Sequence, residues 1–214
     1  MRTAIGLLVA LALLAREAPA RTIHLDHSFR RIRLLINESS ANPAHHSIRY
    51  EHLGYLGDLY LDPSTTLDDP VTNGAAAVVF SATDCQCVIM GPAPATLPGW
   101  TPTKPIDGIT FYQWRDRSSG SRAIIKGGSP NPLHADKLRF TRKGGISFGL
   151  DGTPQGEVEV QIRFGNSPDL FCTRFAAPSL ADDTPTRYES TDVVFMGCPT
   201  PVPAFCGPCD PPGA

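Results

Sequence analysis

One cysteine motif in the chain could perform redox chemistry: Cys206-Gly207-Pro208-Cys209 has the same sequence as the thioredoxin active-site motif. That chemistry requires the first cysteine at the N-terminus of a helix, where the helix dipole lowers the thiol pKa. The residues that follow, Asp210-Pro211-Pro212-Gly213-Ala214, cannot form such a helix, because proline interrupts helical hydrogen bonding. We therefore interpret Cys206 and Cys209 as structural cysteines and expect no redox site.

Histidine side chains are the next candidates, because they are common metal ligands. A metal site could combine Asp26 or Glu51 with three of the histidines in the first third of the chain, which are His24, His27, His45, His46 and His52. Their spacing matches no helical or hairpin zinc motif. We therefore predict no metal site and interpret these histidines as ordinary loop and strand residues.

Two acidic pairs, Asp68-Asp69 and Asp182-Asp183, could supply oxygen ligands to a calcium ion. Neither pair lies in a loop with the alternating oxygen ligands and terminal glutamate of a calcium-binding motif. We therefore expect both pairs to lie in solvated turns.

Asn37-Glu38-Ser39 is a glycosylation sequon, which has meaning only in a eukaryotic secretory pathway.

The densest group of aromatic residues could form a binding surface for sugars; it consists of Trp100, Phe111, Tyr112 and Trp114. Phe111 shares a face of a predicted strand with Ile109, so we expect it to be buried. Tyr112 and Trp114 lie on the opposite face, and large exposed apolar patches usually serve a contact. We therefore predict a ligand-binding surface at Tyr112 and Trp114, together with Trp100.

No catalytic motif was recognised in the sequence. It contains no nucleophile elbow, phosphate-binding loop or nucleotide fingerprint, and we predict no cofactor. The favoured class is a non-catalytic exported module with a structural or binding role at the cell envelope or outside the cell. Its partner could be a cell-surface polymer or a protein. The alternative is a secreted hydrolase or metal-dependent enzyme, because active sites on β-sandwiches can be dispersed along the chain.

The first 20 residues have the features of a secretory signal peptide. Arg2 precedes an apolar run at residues 4–14, and Ala18-Pro19-Ala20 supplies the small residues of a cleavage site. The apolar run is about half of the ~20 residues that a membrane-spanning helix needs. We therefore expect cleavage after Ala20 and secretion to the periplasm or the extracellular space.

The overall charge gives no reason to expect a nucleic acid or an anionic membrane surface as the partner. The formal net charge of the chain is −2 at pH 7. It becomes −3 after cleavage of the signal peptide, which contains Arg2, Arg16 and Glu17. A mildly acidic chain offers no general attraction to nucleic acid or to an anionic membrane. No later segment is long and apolar enough to span a membrane, so we expect no transmembrane segment.

All six cysteines follow the predicted signal peptide, which favours three disulfides in an oxidising compartment. They are Cys85, Cys87, Cys172, Cys198, Cys206 and Cys209. Cys85 and Cys87 are two positions apart on one strand face, so we expect each to bond a different segment. We further predict that Cys172 pairs with Cys85 or Cys87.

The sequence pattern predicts an all-β fold, an antiparallel β-sandwich or meander. Strands are predicted where β-branched or aromatic residues alternate between turn signals, at residues 29–36, 46–52, 75–81, 87–90, 109–115, 122–126, 137–141, 146–150, 158–164, 170–175 and 193–196. In the clearest, 158–164, the apolar residues Val158, Val160, Ile162 and Phe164 alternate with the polar residues Glu159, Gln161 and Arg163. We expect its second face to be wet.

The C-terminal residues differ from the rest because they are rich in proline and lack periodicity. We assign residues 21–197 to the β-domain and residues 198–214 to an irregular Cys/Pro-rich tail. The tail has few apolar residues, chiefly Val202 and Phe205. We therefore predict that the β-domain folds without residues 199–214, leaving at most one thiol without its partner.

Several short sequence segments follow one another in a characteristic order along the mature chain. They read RIRLLI (31–36), SIRY (47–50), LDDP (67–70), AAAVVF (75–80), PGW (98–100), ITFYQWRD (109–116), AIIKGG (123–128), LDGTPQGEV (150–158), IRFG (162–165) and FCTRF (171–175). In this order the chain resembles a family of uncharacterised exported β-domains of deltaproteobacterial type. The resemblance implies secretion and an all-β fold, and it implies no activity. The Cys-rich tail after Cys198 departs from the family pattern.

Overall fold

The computed structural model describes residues 22–24, 29–54, 69–91, 99–102, 111–126, 136–150, 153–179, 182–194 and 198–209. The predicted signal peptide and its cleavage position after Ala20 lie outside these residues. Among the described residues, no helix is long and apolar enough to cross a membrane. The architecture is all-β, as predicted, and its strands form two sheets.

The first sheet has five strands in the order β1-β11-β10-β4-β5. They are β1 (Thr22–His24), β4 (Ala75–Phe80), β5 (Cys85–Met90), β10 (Val158–Phe164) and β11 (Leu170–Phe175). Neighbours are antiparallel except β1, which pairs in parallel with β11. Between β10 and β11 the chain turns at Gly165, whose φ of 55° is a conformation that glycine adopts without a Cβ clash.

The second sheet has eight antiparallel strands in the order β12-β13-β2-β3-β9-β8-β7-β6. They are β2 (Phe29–Asn37), β3 (Ser47–Gly54), β6 (Gly99–Pro102), β7 (Phe111–Asp116), β8 (Ser121–Lys126), β9 (Asp136–Lys143), β12 (Asp183–Thr184) and β13 (Arg187–Ser190). The described helices are short: α1 (Pro70–Asn73) and two 3-10 turns, Pro43–His45 and Ala204–Cys206.

The two sheets enclose a single apolar core. Tyr50 on β3 joins them, because its ring stacks on Phe140 of its own sheet at 5.5 Å and meets the edge of Phe175 of the other sheet at 6.2 Å. Its hydroxyl lies 2.9 Å from the hydroxyl oxygen of Thr173 on β11. A buried hydroxyl pair of this kind satisfies two polar groups that would otherwise destabilise the core.

The strand prediction is confirmed for most of the described sheet. The predicted ranges 158–164 and 170–175 coincide with β10 and β11, and the remaining strands differ mainly at their ends. The sequence pattern missed β1, β6, β12 and β13, which have two to four residues each. Strands this short contain too few alternating positions to show a period of two.

The predicted strand at residues 146–150 is wrong. Ile146, Phe148 and Leu150 are buried, as the alternation indicated, but they lie outside any strand. Their segment is held by a side chain, because the Glu38 carboxylate accepts hydrogen bonds from the backbone N–H groups of Phe148 (2.6 Å) and Leu150 (3.3 Å). The alternation of apolar residues therefore predicted correctly which side chains are buried, but it did not predict whether the segment pairs with a neighbouring strand.

The predicted last strand at residues 193–196 is present only as an isolated bridge between Val193 and Phe175. Residues 195 and 196 lie outside the described part. The regular strand of this region is β13, which the sequence pattern did not indicate, and it lies between β12 and β2 in the eight-stranded sheet.

Residues 198–209 form a segment that we call the C-terminal strap, and three disulfides fix it to the five-stranded sheet. The pairs are Cys85–Cys206, Cys87–Cys209 and Cys172–Cys198. The prediction that Cys85 and Cys87 take separate partners is confirmed. The prediction that Cys172 bonds Cys85 or Cys87 is wrong, because the strap supplies a cysteine to each of the three sheet positions.

The second face of β10 is wet only at Arg163, which is exposed, whereas the prediction was that the whole face is wet. Glu159 and Gln161 are 3% and 5% exposed. Thr200 of the strap covers them: Glu159 accepts a hydrogen bond from its backbone N–H at 3.0 Å, and Gln161 donates one to its carbonyl oxygen at 2.7 Å. Glu159 and Gln161 therefore face the strap instead of solvent.

Candidate anion-binding face

The outer surface of the eight-stranded sheet carries the molecule's largest concentration of positive charge among the described residues. Strand alternation sends every second side chain outward. On β2, Ile32 and Leu34 are buried, whereas Arg31 and Arg33 lie on the outer side. Residues paired across neighbouring strands lie on the same side of the sheet. Glu51 of β3, which stands opposite Arg33, is therefore also on the outer side.

We define the basic face as the outward side chains of β2, β3, β7, β8, β9 and β13. Among the described side chains of these strands, its two carboxylates are Glu51 and Glu189. Its ten cationic side chains are Arg31, Arg33, Arg49, Arg115, Arg122, Lys126, Lys137, Arg139, Lys143 and Arg187. The excess of eight positive charges contrasts with a formal net charge of −2 for the whole chain. Positive charge is therefore segregated onto one sheet surface.

Glu189 neutralises charge at the β13 edge of this face. Its carboxylate pairs with Arg33 at 2.5 Å and also with Arg187 on its own strand. All three side chains are partly exposed, so the interaction is screened by solvent. The edge of the face is consequently closer to electrical balance than its centre.

Glu51 lies at the centre of the face and is surrounded by guanidinium groups. Its side chain is 5% exposed, and its carboxylate oxygens lie 3.5 Å from Arg49, 3.9 Å from Arg31 and 3.9 Å from Arg139. These separations are long for ion pairs, and Oε2 accepts no hydrogen bond. One buried carboxylate therefore lies near three guanidinium groups but forms a close ion pair with none of them.

Arg139 experiences the resulting repulsion. Its partial burial lowers its pKa below the ordinary arginine value, and the neighbouring charge of Arg49 lowers it further. Glu51 opposes this shift, whereas Arg122 and Arg31 add to it. Arginine stays protonated at neutral pH, so the crowding persists as unneutralised positive charge. An anion placed here would relieve it.

Thr141 lies in the same part of the face, between Arg49 on β3 and Arg122 on β8 in the cross-strand register. It is 8% exposed, and its hydroxyl oxygen has no hydrogen-bond partner. The Nε atoms of Arg49 and Arg139 are also buried without hydrogen-bond partners. Buried donors without acceptors are rare in proteins, because each costs about 1–3 kcal/mol. This part of the face therefore offers unused donors.

The aromatic binding surface predicted from the sequence is wrong, because its side chains are in the core. Tyr112, Trp114 and Trp100 are 3%, 4% and 1% exposed. Trp100 and Trp114 are cross-strand partners, and the indole N–H of Trp100 donates to the carbonyl oxygen of Met90 at 3.1 Å. The side chain of Phe111 lies outside the description. The prediction that Tyr112 and Trp114 lie on the exposed face of β7 is therefore wrong.

The histidines do not converge on a metal site within the described residues, where no group of three His, Cys, Asp or Glu side chains could hold an ion. His52 is buried on the inner side of β3, and His45 is exposed. His46 places Nε2 2.8 Å from the carbonyl oxygen of Ser40 and Nδ1 3.1 Å from that of Ile146. The side chain of His24 and all of His27 lie outside the described residues.

The acidic pairs bind backbone groups of their own surroundings. Asp69 caps α1 by accepting a hydrogen bond from the N–H of Val71 at 2.9 Å, and Asp68 lies outside the described residues. Asp183 is 8% exposed and accepts from the N–H of Gln155 at 2.7 Å. The prediction of a solvated turn is wrong for Asp183, because its carboxylate is used inside the fold.

The Cys206-Gly207-Pro208-Cys209 motif has the structural role predicted for it, since each cysteine is bonded to a different residue of β5. A cavity of about 200 Å³ lies beside it, between the strap and the five-stranded sheet. Gln161 and Arg163 supply its polar side chains, and most of the other lining residues are apolar. The cavity is thus a feature of strap packing.

The sequence contained a signal for the basic face that net charge concealed. Arg31-Ile32-Arg33 and Lys137-Leu138-Arg139 both alternate a cation with an apolar residue, and each lies in a predicted strand. Alternation of this kind places the cations at every second position of a strand on one side. The missing information was which strands are neighbours, because only the pairing of β2, β3, β9 and β8 brings these rows together.

Comparisons with protein-family models, with curated proteins and with solved structures give no match for this chain. The functional argument therefore depends on the geometry of the face itself.

Proposed function

We propose that this protein is an exported, non-catalytic domain that binds an anionic polysaccharide through its basic face. The observation that carries the proposal is the segregation of charge, ten cations against two carboxylates on one sheet surface of a chain with net charge −2. Repulsion among like charges destabilises a fold, so such a surface is better explained by an anionic partner than by stability.

The shape of the face favours a polysaccharide over a nucleic acid. Reading duplex DNA usually requires a helix or a two-stranded ribbon that enters a groove, whereas this surface is a sheet. Single strands are usually held by aromatic rings that stack on bases, and Tyr112 and Trp114 are buried. Cations spread over adjacent strands, about 4.8 Å apart, suit the regularly spaced acid groups of an anionic sugar chain.

Export is supported by two features of the chain. The first 20 residues have the pattern of a signal peptide, and three disulfides fasten the strap to the five-stranded sheet. Disulfides persist in oxidising compartments, where anionic polysaccharides of envelopes and matrices are accessible.

Binding of the oxidised mature protein to immobilised polysaccharides tests the proposal. Heparin and polyuronate represent sulfated and carboxylated chains, dextran is the uncharged control, and duplex DNA and phosphatidylserine vesicles represent the other polyanions. We expect binding to both acidic polysaccharides, none to dextran, and weakening as salt screens the charges. Tighter binding to DNA or to vesicles at equal ionic strength would overturn the assignment.

A matched pair of variants identifies the surface. Arg115→Gln with Lys137→Gln removes two charges from the basic face, and Arg163→Gln with Arg174→Gln removes two from the five-stranded sheet. We expect the first variant to weaken heparin binding about ten-fold, which corresponds to ~1.4 kcal/mol, and the second to leave it nearly unchanged. Equal losses in the two variants would show that net charge, and not this face, governs binding.

A further inference from the structure

Three neighbouring strands of the basic face place two arginines and a hydroxyl without a hydrogen-bond partner in one cross-strand row. Thr141 of β9 stands opposite Arg49 of β3 on one side and opposite Arg122 of β8 on the other. Adjacent strands are about 4.8 Å apart, so the two arginine backbones flank Thr141 at roughly equal distances. Arg139 projects from the same side of β9, two residues before Thr141.

The charges around this row are unbalanced. Arg31, Arg49, Arg122 and Arg139 contribute four positive charges, and Glu51 contributes the one negative charge that the described ion pairs show among them. The excess of three positive charges surrounds a hydroxyl that is buried and lacks an acceptor. Arg122 is exposed, and the Arg49 side chain is about a third exposed, so an anion in solvent can reach the two side chains that flank Thr141.

We propose that Arg49, Thr141 and Arg122 form a subsite for one tetrahedral oxyanion group, a sulfate half-ester or a phosphate monoester. This inference rests on the proposed function, because it specifies the acid group of the polysaccharide that the face binds. The guanidinium groups approach the anion from the two flanking strands, and the Thr141 hydroxyl donates from the strand between them. Arg139 adds positive charge beside the subsite.

The number of strands that supply hydrogen-bond donors favours a tetrahedral ester group over a carboxylate as the bound anion. A carboxylate has two oxygens and is satisfied by a single arginine in a bidentate pair. This row offers donors from three adjacent strands, which matches the three free oxygens of a sulfate half-ester. A sulfated chain is therefore favoured over a polyuronate of equal charge density.

Titration with simple anions tests the subsite without any polymer. Sulfate, phosphate and acetate are added separately at constant ionic strength, while the arginine Nε–H and Thr141 amide resonances of the oxidised protein are followed by NMR. We expect sulfate and phosphate to shift the resonances of Arg49, Arg122 and Thr141 saturably, and acetate to do so much more weakly. Equal responses to all three anions would overturn the subsite.

Substitution of the threonine separates anion binding from folding. Thr141→Val keeps the β-branched shape and removes the hydroxyl, and Thr141→Ser restores it. We expect Val to weaken sulfate binding about ten-fold, the factor for one charge-assisted hydrogen bond, and Ser to recover most of it. The melting temperature of Thr141→Val without anion should be unchanged or higher, because the lost hydroxyl had no partner. A lower melting temperature with unchanged sulfate affinity would show a purely structural hydroxyl.

Arg122→Gln provides a second test that does not depend on the core, because this side chain is exposed. We expect it to abolish the preference for sulfate over acetate, and retention of that preference would contradict the inference.

Polysaccharide binding distinguishes a failure of the subsite from a failure of the proposed function. Heparin and polyuronate that bind equally well would overturn the subsite and leave the proposed function intact, whereas sulfate binding without polysaccharide binding would overturn only the proposed function.

Discussion

The carboxylate of Glu159 accepts hydrogen bonds from both the backbone N–H and the hydroxyl of Thr200, across 41 residues of sequence. The Glu159 side of the contact is buried, and Gln161 extends it by donating to the carbonyl oxygen of Thr200. The strap therefore docks through polar groups as well as disulfides. Deleting residues 199–214 would expose this polar surface and leave two thiols, Cys85 and Cys87, without partners, where the sequence had indicated at most one.

Two of the strap disulfides should be strongly non-additive in stability. Cys85–Cys206 and Cys87–Cys209 span almost the same loop, with sequence separations of 121 and 122. While one is intact, the other closes only a few residues. In the chain-entropy account, removing either pair by Cys→Ala costs about 2 kcal/mol, and removing the second costs about 5 kcal/mol more. Urea unfolding of both double variants and of the quadruple variant measures this. Equal successive losses would contradict the shared-loop argument.

The sequence predicted the strands and the core well where alternation was long. Val158, Val160, Ile162 and Phe164 are all buried, as their spacing required. A strand of two to four residues such as β12 or β13 does not contain enough positions to show this period. Those elements depend on contacts with partners distant in sequence, which no local pattern encodes.

The candidate site was harder to predict, because strand alternation does not say which face is covered. On β7 the pattern could not decide between the two faces, and Trp114 proved to face the core. On β10 the strap covers Glu159 and Gln161, so these polar residues are buried as well. Both outcomes are set by which neighbouring segment packs on a strand, and that information is tertiary.

Trp114 should contribute to folding and not to a sugar-binding surface. Its side chain is buried against the strand partners Trp100 and Ala123. We expect Trp114→Ala to lower the free energy of unfolding by about 3–5 kcal/mol, as for other large-to-small core substitutions. Gln113→Ala, one residue earlier and on the outer side, should change it by no more than about 0.5 kcal/mol. Comparable small effects in urea unfolding would mean that the Trp114 ring is not in the core.

His46 should make stability depend on pH near neutrality. Both ring nitrogens face carbonyl oxygens, of Ser40 and Ile146, and only the protonated ring can donate to both. The hydrogen bond to Ser40 raises the pKa of His46 above the ordinary value of about 6.5, burial opposes the shift, and the bond to Ile146 and the charge of Glu38 add to it.

A folded-state pKa above the unfolded value stabilises the protein at low pH, and this contribution is lost as pH rises through the folded pKa. We therefore expect the difference in unfolding free energy between wild type and His46→Gln to be larger at about pH 5.5 than at about pH 8.5. NMR titration of the ring should give a pKa above that of free histidine. His45→Gln, at the exposed neighbouring ring, is the matched control. A difference that grows with pH would contradict the assignment.

Glu51 should oppose anion binding while it stabilises the fold. Glu51→Gln keeps the side-chain shape and raises the local charge excess from three to four, because it removes the carboxylate shared by Arg31, Arg49 and Arg139. We expect tighter binding of sulfate and of heparin, because the guanidinium groups then interact with the added anion alone. The free energy of unfolding should fall by about 1–3 kcal/mol, the range for a lost interaction with a charged group. Anion titration and urea unfolding measure the two effects.

Glu189→Gln is the control for this last prediction, because it removes one negative charge from the same face but at its β13 edge, where Glu189 pairs with Arg33 and Arg187. Both variants should increase heparin binding, since both make the face more positive. Only Glu51→Gln should increase the affinity for sulfate, because Glu51 lies beside Arg49 and Glu189 does not contact it. Weaker sulfate binding by Glu51→Gln would show instead that the carboxylate positions Arg49 and Arg139 for the anion, and its charge would then be part of the subsite.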